Sequence, residues 1–347
     1  MKKWDRPLGP DGDVVLGAGV SFARNFGDLP FPGRMDAADR REVIRRVRAA
    51  VDDEKSALAG VFRYVSLEDL TDEEAVSLAE RRLADADFIA EREGRGLLLS
   101  GDESLCILIN GEDHLLIRAF GGGFSLKETY ERADTLESLL SRTLSFAFDR
   151  KLGYLTPNPA DLGTGMLASL SLHLPALADS GALPRLSSGL FRLGMSLRSA
   201  GAPAKKPRGA VYRLCNRMTL GLSEREAIAN LTGIGRQVVA QERSARRELS
   251  GSIEVQDTVS RSLGLLRSAR LLKNDEFLEL ISLVRFGIAA GFVHRLEYAA
   301  VDRLAEEMQP ATLTLAVGRQ MTAQERWAER ARIVRETLGR QREPGGN

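Results

Sequence analysis

Two short polar segments contain the residue types that could perform chemistry in this chain of 347 residues. The first, Asn110-Gly111-Glu112-Asp113-His114, lies between two apolar runs that have the length and composition of strands. A turn at such a place presents its side chains at the edge of a sheet, where binding and catalytic residues are common. Ordinary hairpin turns use the same residue types, so this segment alone leaves both interpretations open.

The second segment, Asp161-Leu162-Gly163-Thr164-Gly165-Met166, precedes an apolar run from Met166 to Leu177 that we predict to be a helix. Free N–H groups in such a loop, beside the positive end of a helix dipole, would suit an anion. A plain helix-entry turn has the same composition. Taken alone, Gly-x-Gly is therefore weak evidence for a binding site.

Hydrophobic periodicity predicts the elements that would position these segments. Apolar residues at helical spacing indicate four helices before residue 180, at 37–58, 73–92, 126–150 and 166–177. Ser223 and Glu226 form a capping box that should begin a helix ending near residue 249. Short apolar runs predict five strands, at 14–16, 96–100, 105–110, 115–120 and 211–220.

The chain changes character near Gly251, because every later segment has helical spacing. Helices are predicted there at 255–271, 275–290, 296–307 and 322–340. Length and this shift together predict two domains, residues 1–250 and 251–340. We expect the polar tail, 341–347, to be disordered.

The charge balance argues against partners that a global field would attract. There are 49 Lys and Arg residues against 48 Asp and Glu, a formal charge of +1, so neither nucleic acid nor an anionic membrane is an expected partner. No apolar run predicts a secretion signal or a membrane span, and the two cysteines do not make a disulfide framework. We expect a cytoplasmic protein, and no His, Cys or Asp spacing predicts a metal site.

Together the segments resemble the bacterial protein arginine kinases of the guanidino phosphotransferase family. The matching blocks are Val14 to Asn25, Asn110 to His114 and Gly153 to Leu177, in the family's order, and the likeness extends over about residues 4 to 340. The resemblance implies an α+β fold, a curved antiparallel sheet flanked by helices and followed by an all-helical C-terminal domain. It also implies transfer of the γ-phosphoryl group of Mg-ATP to arginine side chains of proteins.

The resemblance further implies which residues form the site. Glu112 and Asp113 would be the catalytic carboxylates that hold the substrate guanidinium. The residues expected at the nucleotide are Arg24, His114, Gly163, Thr164, Gly165 and Arg198. Catalysis in this reaction is mainly positioning and neutralisation of phosphate charge, for which active relatives use a set of arginines.

This sequence departs from that arginine set. The positions at which active relatives have four of these arginines are occupied by Gly19, Ser21, Leu116 and Leu167, and Arg198 is the one member retained. Losing one preorganised donor costs roughly 3 kcal/mol of transition-state stabilisation. Four losses, even if strongly non-additive, predict a rate lower by about five orders of magnitude or more. The chain therefore resembles a degenerate member of the family.

Other changes affect the carboxylates and the substitute cations. The first acid of the family's Glu-Glu pair is Gly111 here, and the loop from Ser199 to Arg208 contains no acid. Substitute positive charge could come from Arg118 or from the loop residues Lys205, Lys206 and Arg208. A solvated loop is the simpler interpretation of that basic run.

The C-terminal region resembles a second family motif, which binds phosphoarginine. Arg326 and Arg330 are retained, one helical turn apart, whereas Trp327 replaces the aspartate. Both arginines could clamp an anion on one helix face. An Arg/Glu-rich solvated helix face would have the same composition.

Three functions follow as hypotheses. The first is a pseudokinase in protein quality control that binds an active arginine kinase or components of a Clp-type protease. The second is an active kinase that uses Mg-ATP to phosphorylate arginine-containing client proteins. The third is a scaffold, expected as a homodimer, in which the apolar stretch from Leu278 to Val293 forms either a dimer surface or core.

Overall fold

A computed structural model describes residues 8–200 and 208–339 of the chain. The strands are β1 (Val15–Arg24), β2 (Phe62–Ser66), β3 (Gly96–Ser100), β4 (Leu105–Ile109), β5 (Leu115–Gly122), β6 (Phe148–Asp149), β7 (Gly153–Tyr154), β8 (Met166–His173), β9 (Met195–Ser199) and β10 (Val211–Asn216). Eight of them form one antiparallel sheet in the order β2-β3-β4-β5-β1-β8-β10-β9, and β6 pairs with β7 separately. The predicted α+β fold with an antiparallel sheet is confirmed.

Helices surround the sheet and form the C-terminal region. They are α1 (Ala37–Asp52), α2 (Asp72–Glu80), α3 (Ala86–Ala90), α4 (Leu126–Leu140), α5 (Pro175–Asp179), α6 (Leu183–Arg192), α7 (Glu224–Leu249), α8 (Ile253–Ser268), α9 (Asn274–Ala289), α10 (Tyr298–Glu307), α11 (Pro310–Val317) and α12 (Ala323–Gly339). Within the described residues, no helix combines the length and apolar character needed to cross a membrane.

One face of the sheet packs against α1, α4 and α7 and forms the main core. The apolar positions that predicted α1 are buried there, including Val43, Val47 and Val51. The capping box at Ser223 is present: the Ser223 side chain accepts from the N–H of Glu226, and the Glu226 side chain accepts from the N–H of Ser223. Satisfying these free donors at the start of α7 stabilises the helix end by about 1 kcal/mol.

The opposite face is covered unevenly. Over β3 and β4, the helices α2 and α3 bury Leu97, Leu99 and Leu108. Over β1, β8, β10 and β9, the same face carries mainly small or polar side chains and stays partly exposed. We call this second part the open face; its residues are Gly17, Gly19, Ser21, Leu167, Ser169, Ser171, Ser196, Arg198, Arg213 and Cys215.

Four helix predictions need correction, and one of them, 37–58, ends at Asp52. The stretch 166–177 is wrong as a helix, because β8 fills residues 166–173 between β1 and β10 and only the short α5 follows. Met166, Ala168 and Leu170 belong to the main core and alternate with Leu167 and Ser169 on the other face of the sheet, which is the period of a strand. The helix predicted over 73–92 is two helices, broken at Arg82, whose φ is 61°. The helix predicted over 126–150 ends at Leu140.

The C-terminal region is helical as predicted and has its own core around Phe277, Leu313 and Val334. Helix α11 there was not predicted from the sequence, and earlier in the chain neither were α6, β2 and β9. The apolar residues of α9 belong to this core, so the stretch from Leu278 to Val293 is packed within the chain rather than kept for a dimer surface. The boundary at residues 250 and 251 stays a prediction. The tail, 341–347, lies outside the described residues.

A buried polar junction joins α9 to the start of the sheet. The guanidinium of Arg285 donates to the carbonyl oxygens of Gly12 and Asp13 and pairs with Asp302 at 2.6 Å. Arg246 of α7 donates to the same Asp13 carbonyl and to that of His173. Charge-assisted bonds of this kind hold the two regions in one arrangement.

Candidate functional site

Glu112 and Asp113 lie in the turn between β4 and β5, as predicted for these carboxylates. Glu112 is exposed, whereas Asp113 is 7% exposed. Asn25, directly after β1, donates its Nδ2 to Asp113 Oδ1 at 2.7 Å, and its Oδ1 accepts from the His114 N–H at 2.9 Å. Asn25 therefore holds the turn in place. This role was not predicted from the sequence, in which Asn25 simply follows an apolar run.

The charge state of Asp113 is set by its surroundings. Burial raises its pKa to about 7, the bond from Asn25 acts to lower it, and the neighbouring carboxylates of Glu112 and Asp161 act to raise it. The pKa of Asp161 is itself raised by burial. A carboxyl with a pKa near neutrality can accept a proton from a bound cationic group, which is what removal of a guanidinium proton requires. Among the described residues, no group of His, Cys, Asp or Glu is placed to hold a metal ion.

His114 is fully buried beneath this turn. Its Nδ1 accepts from the Phe26 N–H at 3.0 Å, and its Nε2 lies 2.9 Å from the Pro30 carbonyl oxygen, to which it can donate. Burial is the main cause that lowers its pKa, so the neutral ring with one donor and one acceptor fits both bonds. The ring holds the chain that follows β1. Its contact with a nucleotide stays a prediction.

Arg24 is 1% exposed, and its guanidinium is taken up by protein groups. Its Nε lies 2.7 Å from Glu137 Oε1, its Nη1 donates to the carbonyls of Ala23 and Thr164, and its Cζ lies 3.4 Å from the centroid of the Tyr154 ring. An arginine with a buried carboxylate partner holds structure together. The side of the Arg24 guanidinium that pairs with Glu137 therefore has no free donor for the nucleotide that Arg24 was predicted to contact.

The loop containing Gly163, Thr164 and Gly165 leads into the strand β8. The prediction of a helix dipole beside this loop is therefore wrong. Gly163 has φ of 104°, and a Cβ there would lie 2.2 Å from the Thr219 carbonyl oxygen. The Thr164 N–H donates to that same oxygen. These glycines are needed for close backbone approach.

The four replaced arginine positions meet on one face of three neighbouring strands. Ser21 on β1 is opposite Leu167 on β8 and Arg118 on β5. Gly19 and Leu116 lie on the same face of β1 and β5, next to this row. We call Gly19, Ser21, Leu116 and Leu167 the substituted strip. Positions far apart in the sequence, at which the resemblance implied phosphate-holding arginines, therefore converge on one face of the sheet.

Arg118 borders the substituted strip but is neutralised. It is 5% exposed, its Nη2 lies 3.1 Å from Asp85 Oδ2, and its Nη1 donates to the Leu83 carbonyl at 3.3 Å. Its charge is thus balanced by a carboxylate rather than offered to a ligand. Lys205 and Lys206 lie outside the described residues, as does the side chain of Arg208. Arg198 is exposed on β9, at the edge of the sheet.

The residues of the substituted strip do not fit the phosphates of Mg-ATP. Leu167 is 37% exposed and offers no donor, and the Ser21 hydroxyl already donates to the Leu167 carbonyl at 3.2 Å. A triphosphate needs several cations or donors to replace its hydration. We therefore derive no phosphoryl-transfer step through this strip.

In the C-terminal region, Arg330 of α12 is buried and donates to the carbonyls of Met308 and Leu272, each at 2.8 Å. Burial is the main cause that lowers its pKa to about 10. Arg326, one turn earlier, donates to the Met321 carbonyl at 2.6 Å. Arg330 thus joins α12 to the end of α10 and to the segment before α9 instead of facing solvent. Phosphoarginine binding by this pair stays a prediction.

Comparisons with known proteins agree with this fold and these segments. The model of the ATP:guanido phosphotransferase C-terminal catalytic domain matches residues 42–245, and that of the protein-arginine kinase McsB C-terminal domain matches residues 252–346. A protein-arginine kinase of Symbiobacterium thermophilum is 36% identical over 341 residues, covering 97% of this chain and 96% of the relative. One of Caldanaerobacter subterraneus subsp. tengcongensis is 33% identical over 332 residues, covering 95% and 98%.

Solved structures give the same fold at lower identity. A lombricine kinase matches with a TM-score of 0.59 and 22% identity, over 68% of each chain. The duplicated taurocyamine kinase of Schistosoma mansoni, with bound transition-state analogue components, matches with a TM-score of 0.62 and 18% identity, over 84% of this chain and 47% of that one. The fold is thus that of the guanidino phosphotransferases. Within that class, the domain matches and the full-length relatives show that the chain belongs to the protein-arginine kinase family.

Proposed function

We propose that this chain keeps the protein-arginine kinase fold but has lost, or strongly reduced, transfer of the ATP γ-phosphoryl group to arginine, and acts by binding proteins. The observation that carries this proposal is the substituted strip, whose residues share one face of β5, β1 and β8. Two buried arginines on the strands of this strip, Arg24 on β1 and Arg118 on β5, are already paired with carboxylates.

The size of the expected loss follows from electrostatics. Each preorganised donor aimed at a transferring phosphoryl group lowers the barrier by roughly 3 kcal/mol, and about 1.4 kcal/mol corresponds to a tenfold change in rate. Because such donors act as a unit, their losses do not add fully. A rate about five orders of magnitude below that of an active relative is the expected outcome.

The direct test measures acid-labile phosphate formed on an arginine-rich acceptor protein in the presence of Mg-ATP. The Symbiobacterium thermophilum relative, assayed in parallel, serves as the reference enzyme. We expect the full chain to give background signal and the variant Ser21→Arg/Leu167→Arg to give more. Turnover by the unmodified chain near that of the reference, abolished by Glu112→Gln, would overturn the proposal.

A second candidate, an active protein-arginine kinase, is favoured by the carboxylates rather than by the strip. Glu112 is exposed in the turn, and the pKa of Asp113 is held near 7. Such a pair would suit a guanidinium substrate and its proton. In this case the enzyme would use Mg-ATP and act on arginine-containing client proteins, with cations supplied by residues outside the substituted strip.

The proposed partners are proteins: arginine-containing clients, an active arginine kinase, or components of a Clp-type protease, in the cytoplasm. A homodimer is also proposed, although the apolar face of α9 is used within the chain and does not support it. Analytical ultracentrifugation of the purified chain, alone and with a purified active kinase or a Clp ATPase subunit, measures both properties. A monomer that binds neither protein would exclude this part of the proposal.

A further inference from the structure

Exposed apolar and basic side chains lie together where α6 ends and where the chain leaves β10. We call them the α6 patch; its residues are Phe191, Arg192, Leu193, Arg217 and Met218, all of them exposed. The three apolar side chains, Phe191, Leu193 and Met218, are 59%, 61% and 51% exposed. Contiguous exposed apolar surface on a folded protein marks an interaction site.

The two runs that supply the patch are held against each other. The Arg217 N–H donates to the Gly194 carbonyl at 2.9 Å, and the Arg217 Cζ lies 3.9 Å from the centroid of the Phe191 ring. A Cβ at Gly194 would lie 2.9 Å from the Met218 Sδ, so the methionine side chain rests over this glycine. The patch is therefore one continuous surface.

The core of the protein does not use these side chains. On the other side of α6, Leu183, Leu186 and Leu190 recur at helical spacing and pack against the main core. Met195 and Leu197 of β9 are buried in the same core. The apolar residues of the α6 patch are thus additional to those that attach α6 and β9 to the sheet.

The patch also carries positive charge that the described protein groups leave unpaired. Residues 180–223 contain eight Lys and Arg residues and no Asp or Glu, although the formal charge of the whole chain is only +1. Within residues 8–200 and 208–339, neither Arg192 nor Arg217 forms an ion pair, and nor does Arg185, two turns before Arg192 on α6. A partner with negative charge would complement this surface.

The combination of residue types favours a protein partner. Arginine, aromatic residues and methionine are enriched at protein interfaces and among the residues that contribute most to binding. Insertion into a bilayer would need the apolar face of α6, which already packs on the sheet. Nucleic acid is bound mainly through its phosphates, which would leave the exposed apolar side chains without a role.

We propose that the α6 patch binds an amphipathic helix of a partner protein, with carboxylates beside its aliphatic side chains. The aliphatic groups would cover Phe191, Leu193 and Met218, and the carboxylates would pair with the arginines. Arg217 stacks on Phe191, which holds its guanidinium in place for such a pair. Arg185 and Arg192 are about 10 Å apart along α6, a spacing that carboxylates seven residues apart on a second helix match.

This inference gives the proposed protein-binding function a surface and a partner chemistry. It rests on that binding function and does not depend on the loss of phosphoryl transfer.

Fluorescence anisotropy of the full chain with a labelled peptide tests the proposal. The probe is a peptide of about 15 residues, with leucines at helical spacing and glutamates at the other positions. One control peptide has glutamine in place of glutamate, and another has serine in place of leucine. We expect the Glu/Leu peptide to bind at low ionic strength and each control peptide to bind about tenfold more weakly or worse. Salt at about 0.5 M should also weaken binding.

Substitutions in the patch should weaken binding of the Glu/Leu peptide. We expect Phe191→Ser and Arg217→Ala each to raise its Kd about tenfold or more. Phe148→Ser and Arg63→Ala are the matched controls, because Phe148 is 61% exposed and Arg63 is exposed on the edge strand β2. Each control should change the Kd by less than about twofold.

Charge reversal gives a stricter test. The variant Arg192→Glu/Arg217→Glu should lose the Glu/Leu peptide and bind a peptide with lysine in place of glutamate. No binding of the Glu/Leu peptide by the unmodified chain, or equal effects of the patch and control substitutions, would overturn the proposal. Binding of phosphatidylglycerol vesicles or duplex DNA that depends on Arg217, without binding of the peptide, would overturn it as well.

The kinase assay is separate from these measurements. Phosphoryl transfer near that of the reference enzyme would refute the proposed loss of activity and leave the α6 patch in place. Background transfer with no peptide binding would refute the α6 patch and leave the argument from the substituted strip in place.

Discussion

Replacing Asp113 by asparagine should change how the stability of the fold depends on pH. Burial holds the pKa of this carboxyl near 7 in the folded chain, against an ordinary value of 3.8. Between about pH 4 and pH 7 the folded state therefore binds more protons at this group than the unfolded state does. The stabilising contribution is complete below the unfolded value, and it is lost as the pH rises through the folded one.

The magnitude follows from the difference in pKa. One unit corresponds to about 1.4 kcal/mol, so the free energy of unfolding should fall by about 2 to 3 kcal/mol between pH 5 and pH 8 because of this group alone. Asparagine has the same shape, and its carbonyl oxygen can still accept the bond that Asn25 donates to Asp113. Asp113→Asn should therefore remove the titration without removing the contact.

Urea unfolding of both proteins at pH 5, 6, 7 and 8 checks the prediction. The stability of the wild type minus that of Asp113→Asn should decline across the series by the amount given above. Asp87→Asn, at an exposed carboxylate of α3, should leave the decline unchanged. A difference between wild type and Asp113→Asn that stays flat from pH 5 to pH 8 would show that the buried carboxyl is not protonated in this range.

Two further substitutions distinguish structural arginines from ligand-binding ones. Arg24→Met should lower the free energy of unfolding by about 3 to 5 kcal/mol, because it leaves Glu137 buried without a partner. The double variant Arg24→Met/Glu137→Met should recover part of the loss. Urea unfolding measures both, and a change below about 0.5 kcal/mol for Arg24→Met would contradict the structural role. Arg330→Met should cost about 2 to 4 kcal/mol by the same measurement, since two main-chain carbonyls lose their donor. Arg332→Ala, at an exposed neighbour on α12, should change stability by less than about 1 kcal/mol, and equal effects of the two changes would refute the argument.

Local signals predicted much of the fold. The spacing of Val43, Val47 and Val51 gave α1, and the capping box at Ser223 gave the start of α7. Such signals depend on residues within a few turns of one another. The error at β8 has the same origin, because an apolar run of this length suits either a helix or a central strand. Its two neighbours in the sheet, β1 and β10, decided the outcome.

The candidate site was predictable in part. The segment containing Glu112 and Asp113 was predicted from the sequence, but the burial of Asp113 was not. Asp113 is enclosed by contacts such as its hydrogen bond with Asn25, which is 88 residues away in the sequence. Ser21 and Leu167 are likewise 146 residues apart, so only strand register shows that they are neighbours.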